Sequence, residues 1–186
     1  MAPTSSDDRI HAAALQLLRS GGPRSATIEG VAALSGVAKT TIYRRYRNRR
    51  EMLSAVLAPI SDPPRGDIQM EPVEQLRSFV HYAAGAVHAG IGFGGLAALL
   101  VGDDPEFCEL FRDVLVEHRS HLSAAVRAAV EAKLIRPDVP IDTLVDSIVG
   151  TYAMEQARTG KIEEGWEDRI IALLFPGSDR VGSSRS

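Results

Sequence analysis

Residues 27–53 read TIEGVAALSGVAKTTIYRRYRNRREML, and this stretch decides the fold. Thr27 is placed to cap a short helix, with Ile28, Val31, Ala32 and Leu34 on its buried side. Ser35-Gly36-Val37 breaks the pattern after about two turns, and Gly36 supplies the positive φ that a tight helix-to-helix corner needs. A second short helix is predicted over 38–45, anchored inward by Val37 and Ile42. Its remaining surface carries Lys39, Thr40, Thr41, Tyr43, Arg44 and Arg45. A short helix, a glycine turn and a short helix bearing cations, hydroxyls and a phenol form the pattern of a helix-turn-helix that reads DNA. An ordinary pair of small helices with a solvated basic face is the plain alternative.

Charge supports the first reading once the chain is divided. Residues 1–60 hold nine Lys and Arg against four Asp and Glu, a charge of +5; the remainder holds twelve against twenty, or −8, giving the overall −3. A basic N-terminal third suits a surface facing phosphates. Arg44, Arg45, Arg47, Arg49 and Arg50 fall within seven residues.

Upstream, Ser5 or Ser6 is expected to cap a helix with Asp7 and Asp8 in its first turn. Ile10, Ala14, Leu17 and Leu18 form its core stripe, and Gly21-Gly22-Pro23 ends it. His11 is expected to face solvent. Downstream, Asn48 and Glu51 have capping-box spacing, so a fourth helix starts near Arg49 and ends near Pro59. Ser61-Asp62-Pro63-Pro64-Arg65-Gly66 reads as a linker. The first domain is therefore placed at 1–60, a helical domain at 71–175 and a disordered tail at 176–186.

In the second domain Val73, Leu76, Phe79, Val80, Ala83 and Val87 stripe one long helix. Gly90-Ile91-Gly92-Phe93-Gly94-Gly95 formally matches the dinucleotide fingerprint, but a helix precedes it and no strand pattern is near. We read it as a flexible join. Leu96–Val101 form a short apolar helix, Glu106 to about Leu134 a long one, and two more run from Ile141 to Arg158 and from Glu163 to Leu174. With no sustained alternation of apolar and polar residues, the fold class is all-α.

From Thr27 through Gly36-Val37-Ala38-Lys39, Thr41-Ile42-Tyr43, Tyr46, Arg49 and Leu53, residues 7–58 resemble the N-terminal domain of the TetR family of transcriptional regulators. The stretches Asp104-Pro105-Glu106, Leu134-Ile135-Arg136-Pro137-Asp138 and Thr159-Gly160 resemble that family's C-terminal ligand-binding and dimerisation domain. One departure is plain: the family's common Pro-Ser-Lys is here Arg47-Asn48-Arg49, which keeps cap and cation but loses the rigid turn. The resemblance implies a homodimer on double-stranded DNA, two reading helices meeting a palindromic operator. It implies phosphate contacts from Thr27, Tyr43 and Arg49. Lys39, Thr40, Thr41, Arg44 and Arg45 are candidates for base edges. Arg44 and Arg45 point about 100° apart on a helix, so only one of them is expected to reach bases. The resemblance further implies repression relieved by a small, largely apolar effector, with Phe79, Tyr82, Phe93, Phe107, Phe111, His118 and Tyr152 as pocket candidates. Leu144, Ile148, Tyr152, Trp166, Ile170 and Leu173 are the dimer-interface candidates. An architectural DNA-binding dimer without a ligand is the alternative.

No nucleophile elbow, zinc-protease pair or phosphate loop is present, so no enzyme is expected and no catalytic residue is assigned. His81 with His88 and His118 with His121 lack a third ligand, so no metal and no cofactor is expected, and the histidines are read as surface residues. Asp103-Asp104 and Glu163-Glu164 read as solvated helix starts. The apolar runs fall short of the ~20 residues a membrane span needs. With a single Cys108 and no N-terminal signal pattern, a cytoplasmic location is expected.

Overall fold

The computed structural model describes residues 5–61, 72–131 and 136–175. Most of the expected leader, the linker beyond Ser61 and the tail from Pro176 lie outside these residues. Among the described residues there are nine α-helices and no strand.

Helix α1 (Ser6–Gly21) opens on a capping box: the Asp8 N–H donates to Ser5 Oγ and the Ser5 N–H to Asp8 Oδ2. Ile10, Ala13, Ala14 and Leu18 are its buried stripe, with Leu17 half-buried. His11 is also half-buried, its Nε2 3.1 Å from Tyr46 Oη, because the α1 face it occupies packs towards the end of the reading helix. Helix α2 (Ile28–Ser35) is capped by Thr27, whose Oγ1 accepts from the Gly30 N–H at 2.9 Å. Leu34 is 44% exposed rather than buried. At 100° per residue it lies about 120° from Ile28, at the margin of the arc that faces α1. Gly36 turns the chain at φ 67°, ψ 13°, a conformation that costs a residue with a Cβ roughly 1–2 kcal/mol. Helix α3 (Lys39–Arg45) follows, and α4 spans Arg49–Ser61. Asn48 Oδ1 accepts from the Glu51 N–H, and Glu51 in return accepts from Arg47 N–H, one residue earlier than a standard capping box. Pro59 sits inside the last turn and the helix continues two residues past it.

The chain divides into two units by its internal contacts. The first comprises 1–61 with 86–116, the second 62–85 with 117–186. The expected boundary near residue 60 therefore does not match the packing, since 86–116 sides with the helix-turn-helix. The reason is a core in which Leu18, Leu53 and Leu57 meet Ile91, Phe107 and Phe111, beside a second one of Ile10, Val31, Ile42, Met52 and Val56.

The glycine run belongs to this first unit, and it is not a flexible join. A π-type segment, Ala86–Ile91, is interrupted at Gly90 by a non-helical conformation, and α6 (Gly92–Val101) begins directly after it. A Cβ on Gly94 would lie 2.8 Å from the Leu18 carbonyl oxygen and 2.9 Å from that of Arg19. Arg19 in turn donates from Nε to the Gly90 carbonyl at 3.0 Å. The glycines let the α6 backbone rest on the last turn of α1. Helix α7 (Pro105–Glu131) is capped by Asp104, whose Oδ1 accepts from the Phe107 N–H, with Pro105 in the first helical position.

In the second unit, α5 (Pro72–Gly85), the later part of α7, α8 (Ile141–Thr159) and α9 (Trp166–Leu174) bury Leu76, Phe79, Val80, Leu122, Ile148 and Ile170. Phe79 meets Phe175 edge-on at 6.4 Å and Tyr152 meets Trp166 at 5.1 Å. Arg77 pairs with Asp168 at 2.7 Å, and Arg119 with both Asp142 and Asp146. At the α8–α9 corner Glu155 accepts from Arg169 at 2.6 Å and from the Glu163 N–H. The Arg169 hydrogen bond holds the Glu155 carboxyl below its ordinary value. This corner therefore stays intact at neutral pH and loosens only as pH falls through that lowered value.

The stretch Glu74–Val101 has a mean hydropathy of 1.7 over an 18-residue window, enough by length and composition to cross a membrane. The backbone breaks at Gly90, and Leu76, Val80, Ile91 and Ala98 are spent on protein cores. A lipid-spanning helix tolerates such a break only where other protein satisfies the freed groups.

Gly94→Ala should lower the thermal midpoint, because the atoms in the way are backbone and an overpacked contact costs about 1–3 kcal/mol. Gly85→Ala, where a Cβ meets nothing within 4 Å, should leave stability unchanged or raise it; calorimetry on both variants checks this.

Candidate nucleic-acid interface

Helix α3 is seated by Ile42, fully buried, and by Val37 just before it. Relative to Ile42, and at about 100° per residue, Thr40 lies near 160°, Arg44 near 200°, Tyr43 near 100° and Arg45 near 300°. Thr40 and Arg44 are thus the outermost line of the helix. Both are exposed, as are Lys39 and Arg45; Thr41 is half-buried and Tyr43 is 51% exposed. Of the expected base-reading and phosphate-binding groups of α3, Thr40, Tyr43 and Arg44 therefore share the outer solvent face, while Lys39 and Arg45 stand about 60° to either side of Ile42.

Several of the nine N-terminal cations are already engaged. Lys39 Nζ lies 3.4 Å from Glu29, Arg45 is paired with Asp7, Arg24 with Asp103 at 2.9 Å and Arg50 with Glu109 at 2.8 Å. Arg9 donates to the Ser35 carbonyl, and Arg19 to those of Ala89 and Gly90. Among the described residues, Arg44 and Arg47 have no partner for their guanidinium groups.

Arg49 requires a correction. It was expected to offer its charge to a phosphate, but its side chain is only 21% exposed and its donors are occupied. Nε donates to the Ala26 carbonyl at 3.1 Å, Nη2 to Pro23 O and to Asp104 Oδ2, both at 2.7 Å, and Nη1 to Glu106 Oε1 at 2.7 Å. It is an internal clamp between the turn before α2 and the start of α7. Asp104, read as a solvated helix start, is a buried acceptor that caps α7 and holds Arg49. Asp104-Pro105-Glu106 carried the signal of a helix cap, but nothing in the sequence ties that cap to an arginine 55 residues away. Thr27 likewise spends its hydroxyl oxygen on the Gly30 N–H, though the hydroxyl proton stays available to a phosphate.

The pocket candidates divide between the two units. Phe107 and Phe111 stack at 5.7 Å in the core of the first unit, and Phe93 is half-buried there. Phe79, Tyr82, His118 and Tyr152 lie in the second unit. His118 is buried, not a surface residue, with its ring 4.2 Å from that of Tyr82. His81 sits 2.8 Å from Glu167. A cleft of about 330 Å³ in the second unit, lined by Val126, Arg127, Val130, Pro137, Val139 and Ile141, contains none of the aromatic candidates.

Of the interface candidates, Leu144, Ile148, Tyr152, Trp166 and Ile170 are buried within their own subunit, whereas Leu173 is 68% exposed. The apolar stripes of α8 and α9 close the monomer core, which leaves the opposite face of both helices towards solvent. There Gly150, Ala157 and Met154 on α8 and Ala172 and Leu173 on α9 are exposed.

The arrangement defines an all-α protein with an N-terminal helix-turn-helix whose second helix presents a polar, cationic face. Residues 10–56 match the family model described as "Bacterial regulatory proteins, tetR family". That segment is a TetR-family DNA-binding domain. Solved structures share the fold over most of the chain. A Clostridium perfringens putative fatty acid metabolism regulator is 20% identical with a TM-score of 0.67, covering 91% of this chain and 97% of that one. A putative TetR-family regulator from Rhodococcus sp. is 16% identical with a TM-score of 0.66, covering 96% and 99%. The FadR regulator of Bacillus subtilis in complex with stearoyl-CoA is 14% identical with a TM-score of 0.61, covering 91% and 97%. No curated protein sequence matches the chain.

Removing either side of the clamp leaves the other poorly compensated. Arg49→Ala and Asp104→Ala should each cost about 2–3 kcal/mol of unfolding free energy, by the worth of hydrogen bonds to charged groups. The double variant should cost less than the sum of the two, as a urea-unfolding double-mutant cycle would show.

Proposed function

We propose that this chain is a sequence-specific transcriptional regulator that binds a palindromic operator as a homodimer and is released by a small, largely apolar ligand. The observation that carries the DNA half is the outward face of α3, where Thr40, Tyr43 and Arg44 stand exposed above an anchor that fixes the helix. A short helix held this way enters a major groove, and base edges are read by the side chains on its outer line. Tyr43 and Thr27 donate to phosphates and set register without reading sequence. Lys39 and Thr41 flank the outer line. Repression is the default mode for a regulator of this type, because a dimer seated across a promoter excludes other proteins from it.

The ligand half is supported by the fold neighbour solved with stearoyl-CoA and by the aromatic content of the second unit, where Phe79, Tyr82, His118 and Tyr152 offer apolar walls with three polar tips. A ligand acts as inducer only if it prefers the conformation that cannot hold DNA. The dimer face is the exposed side of α8 and α9, around Met154 and Leu173.

Fluorescence anisotropy tests the DNA claim. A duplex carrying two selected half-sites a helical turn apart should bind at least about 1,000-fold tighter than a scrambled duplex at the same salt. Equal, salt-steep binding to both would end the regulator reading in favour of the architectural one. Leu173→Glu should halve the mass seen by light scattering and abolish tight binding to the paired site, with little change in helix content. A long-chain fatty acyl-CoA serves as the ligand probe: it should raise the thermal midpoint and weaken operator binding, and DNA should weaken its binding by the same factor.

A further inference from the structure

Resting on the DNA-binding reading above, we propose a division of labour between the two adjacent arginines of α3. Arg44 reads a guanine in the major groove, while Arg45 is a positioning residue that ties the reading helix to α1 through Asp7.

Three observations carry this. Direction comes first. Arg44 stands about 160° from Ile42 measured the short way and shares the outermost line with Thr40 one turn earlier, whereas Arg45 is turned to about 60° from Ile42, back towards the protein. Partnership comes second. Arg45 is ion-paired with Asp7 in the first turn of α1, and the next residue, Tyr46, touches His11 of the same helix at 3.1 Å. Two successive residues therefore fasten the end of α3 to the start of α1. Arg44 has no such partner among the described residues and is exposed. Third, the neighbouring charges do not replace it. Lys39 is paired with Glu29, and Arg47, also without a partner, lies beyond the end of the helix.

The chemistry then selects the base. A guanidinium offers parallel N–H donors, and guanine alone presents two acceptors, O6 and N7, side by side in the major groove. Adenine places a donor where guanine has O6. Arg45 is poorly suited to the same task, because reaching a base means abandoning Asp7 and leaving that carboxylate beside the phosphates. While paired, it cancels the negative charge of Asp7 at a point where α1 comes close to the DNA-facing surface.

The test is selection of bound sites from a random duplex pool by the full-length protein and by Arg44→Ala, Arg45→Ala, Arg45→Lys, Asp7→Asn and the Asp7→Asn/Arg45→Ala double variant, each with a salt titration. The unsubstituted protein should recover a guanine at one fixed position of each half-site. Arg44→Ala should lose that preference, by about 5- to 100-fold, and keep the others. Its thermal midpoint should not move, since Arg44 is exposed and has no hydrogen bond or ion pair among the described residues. Arg45→Ala should weaken binding to all sequences alike without reducing the salt slope, Arg45→Lys should restore it, and the double variant should be no weaker than either single one. The proposal is overturned if Arg44→Ala leaves the recovered motif intact. It is equally overturned if Arg45→Ala erases one base position or lowers the salt slope by about one, the mark of a lost phosphate contact. A wild-type protein that recovers no motif at all would remove the regulator reading itself, an outcome distinct from both.

Discussion

The guanidinium of Arg49 is the joint on which the DNA-facing unit is assembled. Its planar fork meets two backbone carbonyls, those of Pro23 and Ala26, and two carboxylates, those of Asp104 and Glu106. The carbonyls belong to the turn that launches α2, and the carboxylates sit at the start of α7. Arginine suits this position where lysine would not, because one rigid cation satisfies acceptors on several sides at once. Both carboxylates lie at the end of α7 where the helix dipole already favours negative charge, so the cap and the ion pair reinforce each other. The pitch of the helix-turn-helix relative to the first turn of α7 is thereby set by charge as well as by the Leu18–Phe107–Phe111 core.

This use of arginine changes what the charge distribution means. The basic N-terminal third looks in sequence like a surface prepared for polyanions. In the structure Arg24, Arg49 and Arg50 face Asp103, Asp104, Glu106 and Glu109, which the chain supplies from a segment 55 to 79 residues later. The cationic field left for a duplex is narrower. It is concentrated on α3 and the turn after it, where Arg44 and Arg47 remain unpaired among the described residues. A narrow field raises the weight of shape and base contacts relative to unspecific attraction, since unspecific affinity scales with the phosphates neutralised.

The helix-turn-helix was legible because its determinants are local. Thr27 caps within three residues, Gly36 makes one turn, and Val37 and Ile42 alternate with exposed residues at helical spacing. What periodicity does not report is which surface an apolar stripe meets. Leu144, Ile148, Tyr152, Trp166 and Ile170 were correctly read as one-sided, yet that side closes on its own subunit, and only Leu173 stands outside. The aromatic candidates divide between the two units for a related reason: Phe107 and Phe111 share a period with other apolar residues of α7, but the helix is long enough to serve two cores, and they fall in the first. Asp104 was misread because its partner is distant in sequence, and a carboxylate beside a proline advertises only the helix it caps.

The contact between α6 and the end of α1 also has a mechanical meaning. At Gly94 main chain rests on main chain, with no side chain between the two helices to yield by changing rotamer. Most helix pairs meet through a compliant layer of methyl and methylene groups; this pair lacks one at its closest point. A small tilt of α6 is consequently handed to α1 undiminished, like motion through a bare hinge pin instead of a rubber bushing.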